Sequence, residues 1–178
     1  LYVDKYPVTN RQYLSFVKAT GYIPRDPQRF LAHKPEKNKL NHPVVCVSQH
    51  DAMQYAKWVG GRLPTDEEWQ YIASGPDYLE WPWGEKFDAS VCNHDHNALT
   101  PVNAHKKGAS WCGCEDLSGN VWEWTQSVFM GFEGFTPDPY ADYSKPWFDG
   151  QHAVLRGGCW ATRNRTVWNT FRNFYTCD

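Results

Sequence analysis

The segment Gly61-Arg62-Leu63-Pro64-Thr65-Asp66-Glu67-Glu68-Trp69 turns a loop into a helix, and the rest of the chain is read outward from it. Thr65 followed three residues later by Glu68 is a capping box, in which each side chain satisfies the other's free backbone amide. Asp66, Glu67 and Glu68 fill the first turn, where the positive end of the helix dipole favours carboxylates. Trp69, Ile72 and Ala73 then share one inward face. Two earlier helices carry the same signature. Thr9-Asn10-Arg11-Gln12 opens one with Tyr13, Phe16 and Val17 on a face and Gly21 as its stop. Ser48-Gln49-His50-Asp51 opens the other, with Ala52, Tyr55, Ala56 and Val59 at helical spacing before Gly60-Gly61.

Beyond about residue 75 the texture changes. Gly, Pro, Asn and Asp recur every few residues, and apolar residues come in bursts such as Val121-Trp122 and Val154-Leu155. That pattern reads as short strands held by long ordered loops. The expected class is α+β, loop-rich, with little regular structure, in a single domain over 1–178. Leu1-Tyr2-Val3-Asp4-Lys5-Tyr6 alternates like a strand already under way, and nothing in it resembles a signal peptide. The expectation is therefore an excerpt of a longer chain, with both ends belonging to one sheet and a cytoplasmic setting.

Eighteen basic against twenty acidic residues leave a net charge of −2, which argues against nucleic acid or an anionic membrane as the main partner. No apolar run approaches the roughly 20 residues that span a bilayer. Aromatic residues make up 16% of the chain, enough to supply both a core and a binding surface with large contact area at low side-chain entropy cost. Six cysteines, at 46, 92, 112, 114, 159 and 177, are too scattered for a disulfide scaffold, and Cys112-Gly113-Cys114 is a weak metal signal without a second pair. The expectation is buried or free thiols.

Four ordered segments carry a resemblance. They are Tyr6-Pro7-Val8-Thr9-Asn10, Gly61 to Trp69, Leu117-Ser118-Gly119-Asn120-Val121-Trp122-Glu123-Trp124 and Leu155-Arg156-Gly157-Gly158-Cys159-Trp160, joined by Trp81-Pro82-Trp83-Gly84. Together they resemble the formylglycine-generating-enzyme-like (sulfatase-modifying factor) family. The resemblance implies a heavily decorated C-type-lectin-like fold. In calcium-binding relatives the matching positions are Asp116, Gly119, Val121 and Glu123, the middle two through backbone oxygens, a donor set that suits calcium. The competing reading has the two carboxylates bonding loop amides without a metal.

Fold alone does not choose among the family's chemistries. Formylglycine-generating oxidases carry a copper-binding cysteine pair after the Gly-Gly motif; Thr162 and Val167 stand at those positions here, and neither offers the thiolate that Cu(I) needs. The stretch from Phe129 to Phe135 and the run from Val154 to Tyr175 instead resemble the sulfoxide- and selenoxide-synthase branch. There, iron enzymes of ergothioneine or selenoneine biosynthesis join a thiol or selenol to a histidine betaine. Phe132 takes the apparent place of that branch's tyrosine proton donor, which moves the expected role to Tyr140, Tyr143 or Tyr175. The branch's iron ligands belong to an N-terminal helical domain outside this chain. His94-Asp95-His96 is the one dense cluster of ligand types, and its spacing does not suit a facial triad. A solvated loop is the expectation there.

Between residues 150 and 177 lie Arg156, Arg163, Arg165 and Arg172, interleaved with Trp160, Trp168, Phe171, Phe174 and Tyr175 and free of Lys and Glu. Guanidinium forks match carboxylates in two-point contacts, and aromatic faces attract quaternary ammonium groups. A trimethylated histidine presents both features. The expected substrate-binding residues are thus Phe132, Phe135, Arg156, Trp160, Arg163, Trp168, Arg172, Asn173 and Phe174. The plainer alternative has Arg156 and Arg172 bracing loops. Two other function classes stay open: an oxidase of sulfatase cysteines, and a lectin-like binding module without catalysis.

Overall fold

The structure, a computed structural model, describes residues 1–32, 35–136 and 145–177. Helix α1 spans Asn10–Thr20, with the Thr9/Gln12 capping box formed and Gly21 in the left-handed region donating its amide to Val17 O. Helix α3 spans Gln49–Trp58 behind the Ser48/Asp51 box. Helix α4 spans Asp66–Ser74 behind Thr65/Glu68. All three follow the caps read from sequence. A short helix α2, Pro27–Ala32, was not anticipated. Glu68 does more than cap: Arg62 forks onto both its oxygens at 2.6 and 2.7 Å, and this hydrogen bonding holds the Glu68 carboxyl down to about 2.

Tyr13 and Phe16 from α1 meet Tyr55 from α3 in one apolar cluster, the rings packing edge-on or tilted at 5.5–5.9 Å. A second cluster gathers Trp69, Ile72 and Ala73 of α4 with Cys114 and Leu117. Between the helices and the loops runs a three-stranded antiparallel sheet: β1 (Glu123–Val128), β2 (His152–Arg156) and β3 (Asn173–Thr176), in that spatial order. Every residue of β2 is buried, as expected for a central strand covered on both faces. Glu123 pairs with Arg156 and Leu155 with Asn173, and the β1–β2 register shifts between Trp124 and Val128.

Residues 1–4 have no regular structure, which corrects the expected N-terminal strand. The segment is tied instead to the 114–115 loop, by the Glu115 amide donating to Lys5 O at 2.8 Å and a Lys5–Glu115 ion pair at 3.2 Å. Its backbone needs are met there rather than by a ladder, so the alternation of residue types does not translate into sheet. Near the other end, β3 does close an edge of the sheet.

The loops after residue 75 are organised around two buried asparagines. Asn120 sits at φ 62° and accepts at its side-chain oxygen from Asn93 Nδ2 (3.0 Å) and the Thr100 amide (3.1 Å). Its backbone amide donates to Asn93 O at 2.7 Å, its carbonyl accepts from Trp160 N at 3.0 Å, and the neighbouring Gly119 amide donates to Gly157 O at 2.7 Å. Gly119 and Asn120 therefore bind two distant segments, 93–100 and 157–160, together through buried polar contacts.

Candidate functional site

A cavity of about 1450 Å³ opens between the N-terminal segment, the end of α3 and the start of β1. Its walls include Tyr2, Tyr6, Tyr55, Trp122, Trp124, Trp160 and Tyr175, with the carboxylates of Asp4, Asp26 and Glu123 and the guanidiniums of Arg25 and Arg29. Several rings are held in place from behind. Trp124 donates its indole N–H to Val47 O at 3.0 Å, and Trp122 packs against Phe171 at 6.1 Å. Trp160 is fixed through its backbone, giving its amide to Asn120 O and accepting from His96 N at 2.8 Å. Tyr175 hydrogen-bonds Arg29 through its side chain.

Glu123, the first residue of β1, is the acid of the wall. The Trp69 indole N–H donates to its Oε2, and burial pushes its carboxyl up to about 7. Asp116 behaves similarly: it is buried, sits at φ 61°, accepts from Asn120 Nδ2 at 3.3 Å, and is pushed up to about 7, chiefly by burial. Burial is the first cause for both carboxyls, and the charge of Glu123 adds to the upward push on Asp116.

Those commitments correct the sequence reading. Arg156 is wholly buried and offers no fork to a ligand. Its Nε pairs with Asp66 at 2.9 Å, its terminal nitrogens donate to Phe171 O at 2.9 Å and Gln70 Oε1 at 2.7 Å, and its plane lies 5.1 Å over the Trp69 ring. The reason is positional: the residue ends the strand buried on both faces, directly against the first turns of α4. Arg172 pairs with the other oxygen of Asp66 at 2.7 Å, donates to Met130 O, and is covered by Phe132 at 4.3 Å and Phe129 at 5.3 Å. It too is absent from the cavity wall.

Other expected binding residues also lie away from the cavity. Phe174 stacks on Phe129 at 4.4 Å, and Asn173 pairs with Leu155 inside the sheet. Trp168 abuts Trp81 edge-on at 6.0 Å, and Arg163 is exposed ahead of a 3-10 turn over Asn164–Thr166. Phe132 and Phe135 are about half exposed on a separate surface. Of the expected site residues, the structure brings Trp160 and Tyr175 to the cavity, with Val121 and Glu123 of the expected metal set. Tyr140 and Tyr143 lie outside the described residues. Trp122, Trp124, Tyr2 and Tyr6 were missed as wall residues. The density of Trp in Val121-Trp122-Glu123-Trp124, at the entry to β1, was a usable signal.

Among the described residues no three His, Cys, Asp or Glu side chains come together to hold a metal. His94 is half-buried against Phe87 at 5.0 Å, and its ring lies 6.4 Å from His96. The described residues therefore do not fit a catalytic iron. Asp116 and Glu123 are acidic oxygens lacking a countercharge, and the Gly119 carbonyl, which accepts the Val121 amide at 2.8 Å, keeps a second lone pair.

The profile of the sulfatase-modifying factor enzyme 1-like domain matches residues 1–178. The chain belongs to that family. Among curated relatives of this sulfatase-modifying-factor domain, hercynine oxygenase of Mycobacterium tuberculosis is 32% identical, covering 97% of this chain and 48% of its own. The formylglycine-generating enzyme of Thermomonospora curvata is 34% identical over 68% of this chain and 58% of its own. The domain spans about half the length of the hercynine oxygenases it matches. Among solved structures, PvdO from Pseudomonas aeruginosa superposes with a TM-score of 0.72 at 23% identity, covering 98% of this chain and 74% of that one. Treponema denticola variable protein 1 does so at 0.68 and 21%, covering 96% and 77%. Both show the fold. Thr162 donates its hydroxyl to Cys159 O at 2.8 Å, and Val167 is fully buried.

Proposed function

We propose that this domain is the substrate-holding part of a cytoplasmic hercynine-oxygenase-type oxidoreductase, which joins the sulfur or selenium of a thiol or selenol donor to a histidine betaine. Iron and dioxygen chemistry would belong to an N-terminal helical domain beyond residues 1–178, and the domain's own framework would be lectin-like. The observation that carries the reading is the cavity. Its aromatic walls include Trp122, Trp124 and Trp160, rings of the kind that attract a trimethylammonium group. Arg25 and Arg29 lie in the same wall for the carboxylate end of a zwitterion. The 32–33% identity to three hercynine oxygenases supports it. Holding imidazole and donor together supplies proximity, and Tyr175, the one of the three tyrosines expected from sequence that lies in the cavity wall among the described residues, would pass a proton.

In the full-length protein, Trp160→Ala raises KM for the betaine about tenfold, the loss of one good cation–ring contact, and leaves the unfolding midpoint near that of the parent. Tyr175→Phe lowers turnover with KM little changed. Oxygen uptake that needs both betaine and donor is the readout. Uptake driven by a cysteine-containing sulfatase peptide and copper would replace this reading with the formylglycine oxidase. Retention of the betaine without uptake would leave a binding module.

Calcium at Asp116, Gly119, Val121 and Glu123 is part of the proposal as a structural group, neutralising two buried acids. Thermal unfolding with calcium against chelator shifts upward by several degrees, and Glu123→Gln removes most of the shift. No shift in the parent would exclude the ion.

A further inference from the structure

Cys112-Gly113-Cys114 forms a tight loop that points two thiols at one another. Gly113, at φ 86°, carries the reversal, and the loop is closed at both ends: Gly113 N donates to Ser110 O and Ser110 N to Cys114 O, each at 2.8 Å. Trp111 pins the loop to α4, giving its indole N–H to Tyr71 O at 3.0 Å. The two Sγ atoms stand 3.7 Å apart. They are not equivalent. Cys112 is exposed, and its sulfur lies 3.3 Å from the Ser110 hydroxyl, which is placed to donate to a thiolate. Cys114 is buried in the apolar cluster of Trp69, Ile72 and Leu117, with its sulfur 3.7 Å from Asp4 O.

We propose that Cys112 and Cys114 are a dithiol site for exchange with low-molecular-weight disulfides, Cys112 attacking and Cys114 resolving. The Cys112 thiolate attacks one sulfur of the small disulfide RSSR, forming a mixed disulfide and releasing RS⁻. Cys114 then loses its proton to solvent and attacks Cys112 Sγ, forming the Cys112–Cys114 bond and releasing the second RS⁻. The balance is two protein thiols and RSSR going to one protein disulfide and two RSH, so the small disulfide is the oxidant. Exposure sets the order of events, because the attacking sulfur must be reached and ionised. Burial pushes the Cys114 thiol up to about 12, which disfavours it as the first attacker. Among the described residues no third His, Cys, Asp or Glu joins the pair to hold a metal.

The consequence reaches the cavity, since Cys114 and Asp4 both line it. Drawing Cys114 Sγ toward Cys112 takes it from Asp4 O and loosens the N-terminal segment. The chemistry itself depends on none of the activity proposed above.

The test treats the full-length protein, reduced and then freed of reductant, with oxidised glutathione, and maps thiols by peptide mass spectrometry. The parent becomes lighter by two hydrogens in the peptide holding residues 112–114. Cys114→Ser stops at a stable glutathione adduct on Cys112. In Cys112→Ser, Cys114 is modified at least about tenfold more slowly than Cys112 reacts in the parent. Ser110→Ala slows the first step while leaving circular dichroism unchanged. A parent that keeps glutathione on Cys112 without forming the internal bond would overturn the proposal. So would a parent that stays fully reduced while the exposed thiol of Cys114→Ser is modified, or a Cys112→Ser chain modified at Cys114 as fast as the parent reacts.

Discussion

Asp66→Ala lowers the stability of this domain by about 3–5 kcal/mol, the usual cost of removing one partner of a buried ion pair. Among the described residues, Asp66 is the one carboxylate that pairs with both Arg156 and Arg172, at 2.9 and 2.7 Å, and Arg156 is wholly buried. Removing it leaves a guanidinium in a site where burial already pulls Arg156 down to about 10. Gln70 and Phe171 O still accept from Arg156, but neither carries charge. Arg156→Met costs less, because the Arg172–Asp66 pair survives and methionine fills the space beside Trp69. Urea unfolding of both variants and of the double variant measures the difference. A loss under about 1 kcal/mol for Asp66→Ala would mean that the ion triad contributes little, as many exposed pairs do.

Gly119→Ala is the second change with a large expected effect. A Cβ at this position would stand 2.3 Å from Asn93 O, a backbone atom that has no room to yield, and the backbone sits at φ +85°. Overpacking costs about 1–3 kcal/mol and the left-handed conformation about 1–2 more, for an expected loss near 4 kcal/mol. The damage is local in origin but wide in reach, because Gly119 and Asn120 bind the loops bearing Asn93, Gly157 and Trp160. Gly113→Ala is the control. It has a nearly equal φ of +86° and nothing within 4 Å of the added carbon, so it costs only the conformational part, about 1–2 kcal/mol. Equal losses in the two variants, read from unfolding midpoints, would remove the steric account of Gly119.

The contrast between Arg156 and Trp160 shows why the site was only partly legible in the sequence. Both lie in the same short segment, both are chemically suited to a zwitterion, and the reading placed both in a pocket. Arg156 is the last residue of a strand covered on both faces, so its side chain runs into α4 and finds Asp66 and Gln70. Trp160 comes after two left-handed glycines at φ 88° and 78°, which turn the chain out of the core and bring its ring to the cavity. Spacing along the chain does not reveal which way such a turn carries a residue. The partner of Arg172 was equally hidden, because Asp66 was read as a favourable charge in the first turn of a helix. It is that, and it is also the anchor of two distant guanidiniums.

By itself the sequence determined the three capped helices, the shift to a loop-rich second half, the approximate places of β1 and β2, and the family. Each of these is carried by neighbours in the chain: a capping box closes within four residues, a buried strand shows as a short apolar burst, and a family signature is a contiguous string. Tertiary structure alone decided which aromatic rings face the cavity, that Asp66 gathers both arginines, that Glu123 accepts the Trp69 indole N–H, and that residues 1–4 stay out of the sheet. These outcomes depend on groups far apart in sequence competing for the same few buried partners, and the winner is set by which elements pack together in space.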